Sequence, residues 1–148
     1  MEAELQRLFS PDEADALVPH LEAAFSLIEH HRRQLTAYVR ELETFGIDLG
    51  EPVPPELMER PEVASLVTRA LKEHGVIREQ IAGLEAMGVE IKALDGLCDV
   101  RSRHDGRVVY LCWRRGEPGF NHWHDLDTGF AGRERVLRRG DFEGTLLH

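Results

Sequence analysis

Six consecutive residues, His122-Trp123-His124-Asp125-Leu126-Asp127, form the densest group of side chains able to do chemistry in this chain. Neutral imidazole nitrogens and carboxylate oxygens are ligands for a borderline divalent metal such as zinc. Phe120 to His124 has the composition of a short strand, and strand side chains alternate between faces. His122 and His124 therefore point to one side and Trp123 to the other. Two imidazoles near one point, with carboxylates directly after them, make His122, His124, Asp125 and Asp127 the candidate metal ligands. With a water in an open position, such a set supports hydrolysis. A plainer explanation competes: Trp123 anchors a core while the imidazoles and carboxylates form a hydrogen-bonded polar surface. No third ligand is fixed by spacing, and a site needs a defined ligand count, so the plainer explanation is favoured. For His124 as a general acid or base, no nucleophile or cofactor motif supplies a partner.

These residues need strands to position them. Val108 to Trp113 is β-branched and aromatic, and Asp105-Gly106 before it is a strong hairpin signal. Upstream, Val89 to Leu94 alternates with period two and Asp95-Gly96 turns. The expected sheet has three to four short antiparallel strands. A three-residue loop at Asp105 sets Cys98 opposite Cys112, whereas a two-residue loop puts them on opposite faces; buried thiols are favoured over a disulfide. From Thr128 onwards the chain reads as irregular, with Leu146 and Leu147 available to tuck back.

Two stretches carry a resemblance. FSPDEADALVPHL near the start and VYLCWRRGEPGFNHWHDLDTGFAGR later are similar to a bacterial family known as domain of unknown function 2203 (DUF2203). Its pattern opens F-T-P-E-E-A-N-x-L-L-P and continues D-G-R-x-V-x-L-C-W-R-x-G-E-P, then W-H-x-x-x-x-G-F-A-G-R. Position by position the resemblance marks Asp105, Gly106, Arg107, Cys112, Trp113, Arg114, Gly116, Glu117, Pro118, Trp123, His124, Gly129, Phe130, Gly132 and Arg133. It departs at His122, where the pattern has an aromatic such as Tyr. By the resemblance, the paired histidines are peculiar to this chain and His124 alone is the shared candidate. No activity comes with it.

Ahead of the strands the period is helical. Ser10 as N-cap, Pro11 at the first position and Glu13 three residues on form a capping box. Ala14, Leu17, Leu21, Ala24, Ile28, Leu35, Tyr38, Leu42 and Phe45 then follow at spacings of three and four, with His31 in the intervening slot. Pro19 should kink this helix or split off its first turns. Gly46 to Arg60, with two Gly and three Pro, is the connection. A second amphipathic helix runs from about Pro61 through Val63, Val67, Ala70, Ile77, Ile81 and Leu84, and Gly88 ends it. An antiparallel hairpin is the economical arrangement. Residue numbers summing to about 105 should then face each other, pairing Leu42 with Val63, Tyr38 with Val67 and His31 with His74. His31 and His74 could hold a metal or sense pH; more often such a layer fixes register, hydrogen-bonded to Glu or water.

The fold class predicted is α+β: a long antiparallel helical hairpin over residues 1–88, with its loop at about 46–60, then a small antiparallel β cap over 89–148, as one continuous folding unit. The 148 residues suffice for one modest core. Net charge of −9 argues against general nucleic-acid or anionic-membrane binding. Residues 1–100 carry nine basic against twenty acidic side chains, while 101–148 carry nine Arg against seven acids, so the Arg residues have carboxylates to pair with. Two Cys, no basic leader and no long apolar run fit the cytoplasm. The helical stripes are wide enough to bury more than one flank, which favours a homodimer. With no catalytic motif in sight, the preferred function is a non-enzymatic dimeric interaction module that uses Trp113, Arg114, Glu117, Trp123 and Arg133 as a partner surface. The alternative is a divalent-metal protein, hydrolase-like, using the His122/His124/Asp cluster.

Overall fold

The computed structural model describes residues 7 to 145, so Leu146 and Leu147 lie outside the described residues. Ser10 caps the first helix in the way its sequence requires. Its Oγ accepts the Glu13 N–H at 3.2 Å, and the Glu13 carboxylate accepts the Ser10 N–H at 2.9 Å. Helix α1 (Pro11–Asp15) then stops, and α2 (Val18–Glu43) begins after a turn. Pro19 explains the break: it has no N–H to offer Asp15, four residues back, and its ring crowds that carbonyl. The connection contains a single helical turn, α3 (Pro55–Met58), ahead of α4 (Pro61–Ala86). Gly88, at φ 96°, closes α4, and the Val89 N–H returns to the Leu84 carbonyl at 3.1 Å, a left-handed glycine cap.

The described residues form two compact units: Ser26–Ile81, and the segments up to Phe25 and from Ala82 onward. The division falls inside the two long helices. In the first unit the helices run antiparallel. Leu42, Ile47, Val63, Leu66 and Val67 make a buried cluster against which Tyr38 and Phe45 pack, close to the expected register. His31 departs from that register. Its Nδ1 lies 2.9 Å from a Glu73 carboxylate oxygen, and His74 is exposed. The neighbour of His31 across the seam is thus Glu73, one residue before His74.

The second unit is built on an antiparallel sheet in the order β1 (Glu90–Ala93), β2 (Leu97–His104), β3 (Arg107–Arg114), β4 (His122–His124), β5 (Glu134–Arg135), with β6 (Phe142–Glu143) also paired to β2. That is two strands more than expected. Both are two-residue strands inside the C-terminal segment that reads as irregular. Asp105 at φ 53° and Gly106 at φ 76° form the β2–β3 turn, with His104 opposite Arg107. Positive φ at both positions is the hairpin geometry whose twist matches the strands. The loop therefore has two residues. Cys98 stands opposite Trp113 and Cys112 opposite Asp99, so the thiols lie on opposite faces, and both are free.

One face of the sheet is apolar and buried. Cys98, Val100, Val109, Leu111 and Trp113 line it, and Phe9, Leu21, Phe25 and Phe120 are buried with them. Trp113 stacks between Phe25 and Phe120, with ring centroids 6.2 and 6.4 Å away, and its indole N–H donates to the Glu117 carbonyl. Asp15, at the helix break, accepts the Phe120 N–H at 2.7 Å and a 2.6 Å ion pair from Arg139.

Candidate functional site

The opposite face of the sheet carries the chemistry. Strand alternation from Asp99 and its cross-strand partner Cys112 places Arg101, Tyr110, His122 and His124 on this side. Asp99, Cys112 and His124 come from three adjacent strands, and one ligand atom from each lies within 4.8 Å of the others. Their exposures are 2%, 1% and 2%. Among the described residues no other group of three or more His, Cys or acidic side chains gathers in this way.

Each member is held by a partner. The Nε2 of His124 is 3.1 Å from Asp99 Oδ2, and its Nδ1 is 2.7 Å from the Asp125 carbonyl oxygen. A carbonyl can only accept, so Nδ1 carries a proton, and the Nε2 side is left to the carboxylate. Burial raises the pKa of Asp99; the charge and hydrogen bond of His124, the Cys112 hydrogen bond and Lys92 pull the other way without cancelling it. Asp99 Oδ1 is buried with no hydrogen-bond partner, an expensive state for a carboxylate oxygen unless something else meets it. Burial and the Asp99 charge push the Cys112 thiol up to about 12, against the pull of Arg133, whose Nη1 lies 3.9 Å from the sulfur. Arg133 also grips Glu117 through two bonds of 3.0 and 2.7 Å. A thiol with such a pKa is no nucleophile at neutral pH, and Cys112 is not the partner of either His124 nitrogen, so the trio is not an acyl-transfer triad.

A cavity of about 180 Å³ opens onto Asp99 and His124 and is walled by Lys92, Tyr110, Leu126 and Phe130. Beside it, Glu90 accepts from Tyr110 Oη at 2.7 Å, Arg101 Nε at 2.9 Å and Lys92 Nζ at 3.3 Å. A larger cleft of about 280 Å³ beside Trp123 touches none of the three donors.

The residues singled out from sequence are distributed as follows. His122 and His124 do share a face with Trp123 on the other, as the alternation predicts. His122, however, sits opposite Cys112 with its Nδ1 unpartnered, 4.0 Å from Glu117. Burial and the charge of Arg133 lower its pKa. The Asp125 carboxylate is occupied by Arg107 at 3.0 Å, and Asp127 is exposed. His122, His124, Asp125 and Asp127 are thus not brought to one point, and neither are His31 and His74. Trp113 is fully buried and belongs to no surface. Trp123 packs against His104 and Phe142, Arg114 lies over the Phe130 ring, and Glu117 and Arg133 pair with each other. Sequence reasoning missed Asp99 and Cys112 as neighbours of His124.

The fold and the site define an α+β protein in which a helical hairpin leads into an antiparallel sheet with a buried Asp–Cys–His cluster. A family model described as "Uncharacterized conserved protein (DUF2203)" matches residues 7–136, and the chain belongs to that family. No match is found among the curated proteins or the solved structures. Among the described residues no helix is long and apolar enough to cross a membrane.

Proposed function

We propose that this protein binds one divalent transition-metal ion, of the zinc class, through Asp99, Cys112 and His124. The observation that carries the reading is the convergence of three buried donor types within 4.8 Å, one carboxylate oxygen of the set being unpartnered. Nitrogen, thiolate and carboxylate together suit zinc better than magnesium or calcium. The surroundings also fit. The Asp125 carbonyl fixes the His124 tautomer, as outer partners do for metal-bound imidazoles, and Arg133 stands where it would stabilise a thiolate. Three protein donors with a cavity beside them correspond to a zinc site with an open position. This keeps His124 from the sequence-derived ligand set and replaces the others.

The test is metal content after exposure to zinc or cobalt(II), with cobalt also read by thiolate-to-metal absorption. One equivalent is expected in the wild-type chain and in His122→Ala, and none in Cys112→Ser or His124→Ala. Retention in Cys112→Ser, or loss in His122→Ala alone, points to a different ligand set, and no uptake by the wild type removes the reading.

A second reading, a non-enzymatic homodimeric module, is supported by Leu27 and Leu71, which are 43% and 61% exposed on the helical hairpin. Sedimentation at micromolar concentration tests it, and a monomer there removes it.

A further inference from the structure

We infer that the cavity over Asp99 and His124 takes a short-chain organic carboxylate, its head group lying between Lys92 and the metal's open side and its chain lying against Leu126 and Phe130. The inference rests on the metal reading above. Cys112 does not line the cavity, whereas Asp99 and His124 do, so the side of the donor set away from the sulfur faces the open space.

Charge selects an anion. A dication with the Asp99 carboxylate and the Cys112 thiolate is neutral, and a neutral His124 adds nothing. Lys92 and Arg101 share the single carboxylate of Glu90, which leaves one positive charge over. Lys92 is the looser of the two, its 3.3 Å contact to Glu90 being longer than the 2.9 Å contact of Arg101. An ammonium has three N–H donors, so Lys92 keeps two for a ligand. Arg114 and Arg133, over the Phe130 ring, add to the positive side, so an anion is favoured over a cation.

Size and lining select the rest of the molecule. The cavity, at about 180 Å³, is smaller than the roughly 300–1,000 Å³ of pockets for drug-sized ligands and cofactors. A small head group with a short chain suits that volume. Leu126 and Phe130 give the far wall an apolar character that suits a few methylenes and leaves a second charge unmet.

The experiment uses the full chain loaded with cobalt(II) and titrated with sodium butyrate while the cobalt absorption is followed. A saturable spectral change is expected, with butyrate binding more tightly than formate and butylamine giving no change. Lys92→Gln should still take up cobalt and bind butyrate about tenfold more weakly, the loss typical of a charged hydrogen bond. Phe130→Ala should erase the preference for butyrate over formate. A cobalt spectrum that butyrate leaves unchanged, or equal affinity in Lys92→Gln, overturns this inference while leaving the metal site standing. Inorganic phosphate binding more tightly than butyrate overturns the carboxylate class. Absence of any cobalt–thiolate absorption overturns the metal reading and this one with it.

Discussion

Asp99 Oδ2 and His124 Nε2 meet at 3.1 Å although their strands, β2 and β4, are not neighbours. The imidazole reaches over β3, beside Tyr110, whose ring centroid is 5.3 Å away, to find the carboxylate. Removing one partner leaves the other buried without compensation. His124→Ala in metal-free protein is therefore expected to cost about 3–5 kcal/mol in urea unfolding. His122→Ala, on the same face with its side chain 26% exposed, should cost no more than about 1 kcal/mol. Equal losses would show that the Asp99–His124 contact has no special weight.

The Glu117–Arg133 pair predicts an acid limb. Burial raises the pKa of Glu117, but the Arg133 hydrogen bonds, the Arg114 backbone N–H and the neighbouring positive charge outweigh it, so the net shift is downward from 4.5. A depressed folded pKa means stability that is complete above the ordinary glutamate value and lost as pH falls through the folded one. Unfolding midpoints measured from pH 6 downward should fall more steeply below about pH 4.5 in the wild type than in Glu117→Gln. The variant should also lose about 1–2 kcal/mol at neutral pH. Parallel acid limbs in the two proteins would show that the pair is not coupled to folding.

The two turns of the sheet should differ in their tolerance of a methyl group. Nothing lies within 4 Å of a side chain built at Gly106, so Gly106→Ala meets only the cost of φ 76°, about 1 kcal/mol. At Gly96, with φ 115°, an added methyl runs into the Arg115 side chain, and the loss should be clearly greater. Thermal melts of both variants check the order, and a reversed order contradicts the turn geometry.

Thiol chemistry gives a fourth check. Burial, and then the nearby Asp99 charge, push Cys98 and Cys112 each up to about 12. Iodoacetamide at neutral pH should label neither in the folded chain and both in urea. Mass spectrometry without reductant should find no Cys98–Cys112 bond. Fast labelling of either thiol in the native state would contradict the burial.

Much of the helical half was legible because its signals are local. Ser10, Pro19 and Gly88 each act within one turn of the chain, and α1, the break after Asp15 and the end of α4 follow from them. The hairpin seam was legible only to about one residue, because no local signal sets the rotation of one helix against the other. That single step separates His74 from Glu73 as the neighbour of His31. Asp105-Gly106 announced the β2–β3 hairpin but left its loop at two or three residues, and only the positive φ at both positions sets Asp99 opposite Cys112. The registration of His124 was hidden, because residues 115 to 121, between β3 and β4, make no regular turn that sets Tyr110 opposite it. Donor types close in sequence stand out along HWHDLD, while the sheet gathers Asp99, Cys112 and His124 from three strands. β5 and β6, at two residues each, are too short to show any alternation.

β4 is three residues long and carries one of the three donors, while the other two ride on longer strands. On the proposed reading, an ion held by all of them would act like a rivet through three planks, and the shortest plank would not lift until the rivet was out. The amides of His122 to His124 should exchange with deuterated solvent more slowly when zinc is present, and the slowing would measure how firmly it is held.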